Sequence, residues 1–209
     1  MQRVFDILFS SLTIIILLPI LVPILCILRL TGEGEVFFRQ TRVGKDKVSF
    51  NLLKLATMLK NSEQLGAGTV TLKDDFRVLP YGKFLRKTKL NELPQLFNIL
   101  LGDMSIIGPR PLHHKQFSFY LAEDQNIIAS ITPGLSGVGS IIFRDEEKIL
   151  QNSDDVETTY KQKITPEKAK LEKWYVKNKS LTLYFKLIFL TILAVLFPNI
   201  NMKVFFKEL

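Results

Sequence analysis

The residues from Ile7 to Leu30 constrain this chain more than any other feature, because across the whole run only Arg29 carries a charge. Twenty-four residues as a straight helix at about 1.5 Å each reach about 36 Å, enough to cross a hydrocarbon core of about 30 Å. The run exceeds the roughly 7–15 apolar residues of a signal-peptide core. The sequence after it, Arg29-Leu30-Thr31-Gly32-Glu33, has no small-x-small cleavage pattern. We therefore expect a retained membrane helix over residues 1–33 and a water-facing or interfacial body over 34–209. Pro19 and Pro23 interrupt the run, and each proline inside a regular helix costs about 3 kcal/mol. A kinked, re-entrant helix that enters and leaves on one face would use such a break. Arg3 before the run, and Arg29, Arg39, Arg42, Lys45 and Lys47 after it, put basic residues on both flanks, as two cytoplasmic ends would. A tilted single span remains the alternative.

The rest of the chain is basic, with 28 Lys+Arg against 20 Asp+Glu and a formal net charge of +8. That excess suits nucleic acid, an anionic membrane surface or a phosphorylated substrate. The first lacks a recognisable fold or stacking platform to support it. The lone Cys26 excludes an intrachain disulfide and a thiolate metal site. Val36 to Met58 reads as a hairpin turning at Gly44-Lys45-Asp46-Lys47, and Leu65-Gly66-Ala67-Gly68-Thr69 as a flexible loop. A helix is expected from near Asn91 to Leu101, with Leu90, Leu93, Leu96, Phe97 and Leu100 on one side. Leu181 to Phe197 reads as an interfacial helix with Lys186 reaching the headgroups, and Trp174 and Tyr175 as interface anchors. The fold class is α-rich α+β.

The densest polar constellation is Arg77, Arg86, Lys87, Asn91, Glu92, Asp103 and Arg110. Guanidinium forks bind phosphate through paired hydrogen bonds, and a carboxylate holds Mg²⁺ against a diphosphate. Such a set suits phosphoryl transfer, which depends on positioning and charge neutralisation. Two blander readings stand beside it: Asn91 as an N-cap with Glu92 in the first turn, and the basic residues as solvated or lipid-binding surface. His113 and His114 have no partner spacing for a metal or a triad and read as surface residues.

The run Lys87-Thr88-Lys89-Leu90-Asn91-Glu92-Leu93-Pro94-Gln95-Leu96-Phe97-Asn98, followed by Gly102-Asp103-Met104-Ser105-Ile106-Ile107-Gly108-Pro109-Arg110-Pro111, resembles the bacterial sugar transferases that are monotopic phosphoglycosyl transferases. Arg3-Val4-Phe5-Asp6 with Pro19, Phe37-Phe38-Arg39-Gln40-Thr41-Arg42-Val43-Gly44, Pro133-Gly134-Leu135-Ser136-Gly137 and Tyr175-Val176-Lys177-Asn178 extend the resemblance along the chain. It implies a monotopic protein with a proline-broken re-entrant helix, a small hairpin and interfacial helices. The implied reaction moves a sugar phosphate from a nucleotide diphosphate sugar to polyprenyl (undecaprenyl) phosphate, using Mg²⁺. The implied place is the cytoplasmic face of the bacterial inner membrane, at the start of exopolysaccharide or lipopolysaccharide assembly. Glu92 and Asn91 would be the catalytic and metal-holding pair, with Arg77, Arg86, Arg110 and Lys54 binding phosphate. Membrane lipids complete the expected partners, nucleic acid is not among them, and a homodimer is left open.

The chain departs from the family pattern at its centre. An Asp-Glu pair carries the family's chemistry, and the Asp attacks phosphorus; here the Asp slot holds Asn91, a neutral amide and a poor nucleophile. Ala56 stands where a basic residue is usual, Leu18 where Ser is common, Val138-Gly139-Ser140 where Trp-Ala-Gln is usual, and Glu172 and Tyr184 where Asp is favoured. Three routes stay open. Glu92 acts directly, as nucleophile or as base and metal ligand; another carboxylate (Asp74, Asp75 or Asp103) substitutes; or the chain is a catalytically inactive homologue that binds the same ligands or a partner transferase.

Overall fold

A computed structural model describes residues 1–31, 33–65, 75–144, 146, 150, 155–197 and 199–206. The loop expected at Leu65–Thr69 falls mostly outside these residues, and Asp74 does so entirely. Helix predominates. Helix α1 spans Gln2–Leu30 and is long and apolar enough to cross a membrane. It continues through Pro19 and Pro23, where a break was expected. Residues four apart share a helix side, so both missing N–H donors fall on one side and the ladder elsewhere is kept, as proline-bearing membrane helices allow.

Polar residues fasten the start of α1 to the body. The Arg3 guanidinium donates to the Ile99 and Leu100 carbonyls at the C-terminal end of α3 (Gln95–Leu101), where backbone acceptors lack helical partners. Asp6, buried, accepts from the Ser105 hydroxyl at 2.9 Å, the Ile106 N–H at 3.0 Å and the Tyr184 hydroxyl at 2.9 Å. Further along, Ile14 packs on Leu52, Leu96 and Ile99, while Ile24, Leu25 and Leu28 pack on Leu55 and Leu85. The body therefore touches α1 near its start, its middle and its end.

The expected hairpin is present. Strands β1 (Phe37–Val43) and β2 (Ser49–Leu55) pair antiparallel, from Phe37 opposite Leu55 to Val43 opposite Ser49. Asp46 and Lys47 take positive φ in the turn. Helix α2 covers Pro80–Lys87. A single 3₁₀ turn, Leu90–Glu92, follows Lys89, which lies in the left-handed region at φ 60°. The helix expected from Asn91 instead starts at Gln95, because Pro94 occupies its N-cap position. Its face is rotated accordingly: Leu96 and Ile99 are buried, whereas Phe97 is exposed. Asn98 closes the edge of β2, accepting from the Leu53 N–H at 2.9 Å and donating to the Asn51 carbonyl at 2.8 Å.

A two-stranded parallel sheet was not foreseen. Strand β3 (Ser105–Ile107) pairs with β4 (Gly134–Ser136), joining the Gly108-Pro109-Arg110-Pro111 run to the distant Pro133–Gly137 run. Both glycines are needed there: a Cβ on Gly134 would lie 2.0 Å from the Gly108 nitrogen. Between the strands lie α4 (His114–Phe117) and α5 (Ala122–Ala129); after β4 comes α6 (Val138–Ile142). His113 accepts from the Lys115 N–H and His114 pairs with the Ser49 hydroxyl at 2.9 Å.

The last helices are α7 (Val156–Thr159), α8 (Thr165–Asn178) and α9 (Leu181–Leu196). The predicted interfacial helix is α9, but half of it is core. Leu183, Tyr184, Leu187 and Leu190 pack with Ile107, Val138 and Ile141, while Phe185, Phe189, Ile192 and Val195 stay exposed. Arg144 ties down its end by donating to the Ala194 and Ile200 carbonyls. Tyr175 corrects the anchor reading: it is buried, and its hydroxyl donates to the Ile107 carbonyl at 3.2 Å. Trp174 packs partly buried against the same cluster.

Candidate active site

A cleft of about 1880 Å³ opens between the hairpin, the 3₁₀ turn and the two apolar helices α1 and α9. One wall is cationic. Period-two alternation along β1 places Gln40 and Arg42 on the sheet face that carries Lys54, which stands opposite Phe38 in the hairpin register. Arg86 comes from α2 and Lys89 precedes the 3₁₀ turn that presents Asn91 and Glu92. Arg110 follows β3, held by the parallel pairing. The facing wall is apolar, with Phe9, Leu12 and Ile16 from α1 and Ile188, Ile192 and Val195 from α9.

At the centre, the Arg110 Nη2 donates to the Glu92 Oε1 at 2.9 Å. Burial pushes the Glu92 carboxyl up, but Arg110, Lys54 and Lys89 outweigh it and hold the group at about 2. It is ionised at neutral pH. Lys54 is brought down to about 7, first by burial and then by the neighbouring Arg42, Arg110 and Arg86, with Glu92 acting in the opposite sense. Asn91 is 7% exposed, and its Oδ1 makes no hydrogen bond. The capping reading of Asn91 is therefore not what the structure shows. The residue caps no helix and leaves a buried amide oxygen without a hydrogen bond.

Of the residues proposed from sequence, Glu92, Asn91, Lys54, Arg86 and Arg110 share this cleft. Arg77 does not join them. At 1% exposure it grips Asp75 through Nε at 2.8 Å and Nη2 at 2.6 Å, and donates to the Ser62 and Leu65 carbonyls at 2.8 Å each. Asp75 is thereby committed to an ion pair. Asp103 accepts from Asn98 at 3.2 Å, at the far end of α3 from Asn91. Asp75 lines the cleft but has both oxygens engaged by Arg77, and Asp103 is not among the residues lining it. Arg42, Lys168 and Glu146 line the cleft without having been singled out. The strand alternation of β1 could have found Arg42. Lys168 and its partner Glu146 are remote in sequence from the central run and carry no comparable signal.

Asn91 and Glu92 are consecutive in the turn and both line the cleft, and Asn91 Oδ1 is an orphaned buried acceptor. Mg²⁺ takes one or two protein oxygens and completes its shell with substrate phosphates and water. The donor set fits such an ion when a diphosphate accompanies it. No group of three or more His, Cys, Asp or Glu side chains is gathered among the described residues, so an all-protein cage is not present there.

A family model described as bacterial sugar transferase matches residues 1–198. The chain belongs to the bacterial sugar transferase family. A UDP-glucose:undecaprenyl-phosphate glucose-1-phosphate transferase of Klebsiella pneumoniae is 35% identical over 197 residues, 91% of this sugar transferase and 39% of the relative. A UDP-N-acetylgalactosamine-undecaprenyl-phosphate N-acetylgalactosaminephosphotransferase of Aeromonas hydrophila is 33% identical over 202 residues, 93% and 43% of the two chains. The exopolysaccharide production protein ExoY of Sinorhizobium fredii is 30% identical over 208 residues, covering 93% and 84%. The chain thus spans about two fifths of the length of the first two relatives.

Proposed function

We propose that this protein transfers a sugar phosphate from a nucleotide diphosphate sugar to polyprenyl phosphate at the cytoplasmic face of the bacterial membrane, starting the assembly of a surface polysaccharide. The observation that carries this reading is the two-walled cleft. Lys54, Arg86, Arg110 and Glu92 line a polar side that suits a diphosphate, and α1 and α9 supply an apolar side that suits an isoprenoid tail. The relatives' names supply the substrate classes, UDP-sugars and undecaprenyl phosphate. The body touches α1 near its start, its middle and its end. Those contacts support a helix that lies along the lipid boundary beside the cleft, without the break that a re-entrant course would use.

In the reaction, an oxygen nucleophile attacks the sugar-bearing phosphorus, and the bond to the nucleoside monophosphate breaks. The leaving phosphate gains charge as it departs. Arg110, Arg86 and protonated Lys54 neutralise that charge and hold the diphosphate in line, which is most of what phosphoryl transfer asks of a protein. Mg²⁺, held by Glu92 and the Asn91 amide oxygen, would supply further Lewis-acid stabilisation. The Asn91 amide offers no nucleophile, and Asp75 and Asp103 are committed elsewhere. Direct attack by the polyprenyl phosphate oxygen is the route these residues support, with Glu92 orienting Arg110 and the metal.

The test is nucleoside monophosphate release from UDP-sugars by the purified full chain, with undecaprenyl phosphate and Mg²⁺, for the parent and Asn91→Asp. We expect turnover by the parent that Glu92→Gln abolishes. Parent protein that releases no product while Asn91→Asp does so would overturn the direct route and mark the site as degenerate.

A further inference from the structure

Behind Arg110 lies a buried carboxylate that the transfer chemistry leaves unused. Glu172, on α8, is 4% exposed. The main-chain N–H groups of Gly139 and Arg110 hydrogen-bond to it, and its Oε2 has no partner. A small cavity of about 30 Å³ adjoins it, lined also by Pro109, Ser140 and Lys168. The side chain enters only because position 139 has none: a Cβ there would lie 2.2 Å from the Glu172 Oε1 and 3.2 Å from its Cδ.

This contact bears on the cleft through the backbone of Arg110. The residues before it are fixed by β3 and β4, with the Gly108 N–H donating to the Ser136 carbonyl at 2.9 Å and the Gly134 N–H to the Pro109 carbonyl at 2.8 Å. Glu172 adds a tie at Arg110 itself, the residue whose guanidinium meets Glu92. Lys168, Tyr120 and Tyr175 are its other titratable neighbours. Burial pushes its carboxyl up to about 8, against the pull of Lys168 and the two N–H groups. The neutral acid that results at pH 7 differs little in shape from glutamine.

We propose that Glu172 and Gly139 form a length-matched pair that fixes the main chain of Arg110, making Glu172 a positioning residue for the Arg110–Glu92 pair. Both are positions where the chain departs from the family pattern, Glu for Asp and Gly for Ala. The two departures are complementary: the acid is one methylene longer where the loop is one methyl shorter. What the Arg110–Glu92 pair does in turnover rests on the function proposed above.

Four variants of the full chain in detergent test the pair: Gly139→Ala, Glu172→Asp, the double variant and Glu172→Gln. Melting temperature and calorimetric affinity for pyrophosphate with Mg²⁺ are measured for each. Gly139→Ala is expected to melt lower and to weaken pyrophosphate about tenfold, within the range of couplings between residues in contact. Glu172→Asp should weaken it several-fold. The double variant should recover to within about threefold of the parent, and Glu172→Gln should stay near the parent because length, not charge, is kept. A double variant whose losses simply add overturns the pair. Recovery of melting temperature without recovery of affinity overturns the positioning role and leaves packing alone. If the parent binds no pyrophosphate, the functional reading fails; a double variant no more stable than Gly139→Ala then still overturns the pair.

Discussion

Replacing Arg77 by methionine separates a structural arginine from a substrate-binding one. In the structure this side chain is almost wholly enclosed, pairs with Asp75 through two nitrogens, and donates to the Ser62 and Leu65 carbonyls. Methionine fills similar volume but leaves the Asp75 carboxylate buried without its counter-ion. Breaking a buried pair from one side costs about 3–5 kcal/mol, mostly because the surviving charge stays desolvated. At about 2–4 °C per kcal/mol for a chain of this size, the melting temperature should fall by about 6–20 °C. Changing both partners together, Arg77→Met with Asp75→Asn, removes the stranded charge and should restore more than half of the loss. Scanning fluorimetry of detergent-purified protein reads all three. Pyrophosphate affinity, measured well below the melting range, should stay within about threefold of the parent. An Arg77→Met protein that melts like the parent but binds pyrophosphate ten times more weakly would refute the reasoning and return Arg77 to the substrate site.

Two other outcomes follow from the same coordinates. Lys54, whose proton leaves near pH 7, is charged below that pH and neutral above it. Pyrophosphate affinity should therefore fall as pH rises from about 6 to 8, and Lys54→Met should flatten that profile; calorimetry across the range checks both. Asp6→Ala strands the Ser105, Ile106 and Tyr184 donors in the interior, at about 1–3 kcal/mol for each unsatisfied group, so a large drop in melting temperature is expected. Asp6→Asn should fall less.

The sequence made some elements legible and hid others, for physical reasons. The hairpin showed because β-rich runs flank a polar Gly-Lys turn, a purely local signal. The cleft's central residues showed because Asn91, Glu92 and Arg110 all lie in the Lys87–Pro111 run that carries the family resemblance. Arg77 looked like its neighbour Arg86, since composition does not say whether a guanidinium meets a phosphate or an aspartate two residues away. The parallel β3–β4 pairing joins segments whose strands are three residues each, too short to carry periodicity. Pro94 marked a helix boundary that the apolar spacing on either side of it obscured. Glu172 was visible as a departure, but its meaning needed the 2.2 Å approach to position 139, which no one-dimensional pattern contains.

The bond from Tyr184 to Asp6 joins positions 178 apart, and this bears on how the protein is made. While a ribosome is still translating the middle of the chain, apolar α1 is already made, with an aspartate lodged in it. The donor of that aspartate's third hydrogen bond is made 178 residues later. Closure of the body on α1 is therefore a late, long-range docking step. A chain cut short before α9 would lack the Tyr184 hydroxyl and leave the buried Asp6 short of one partner.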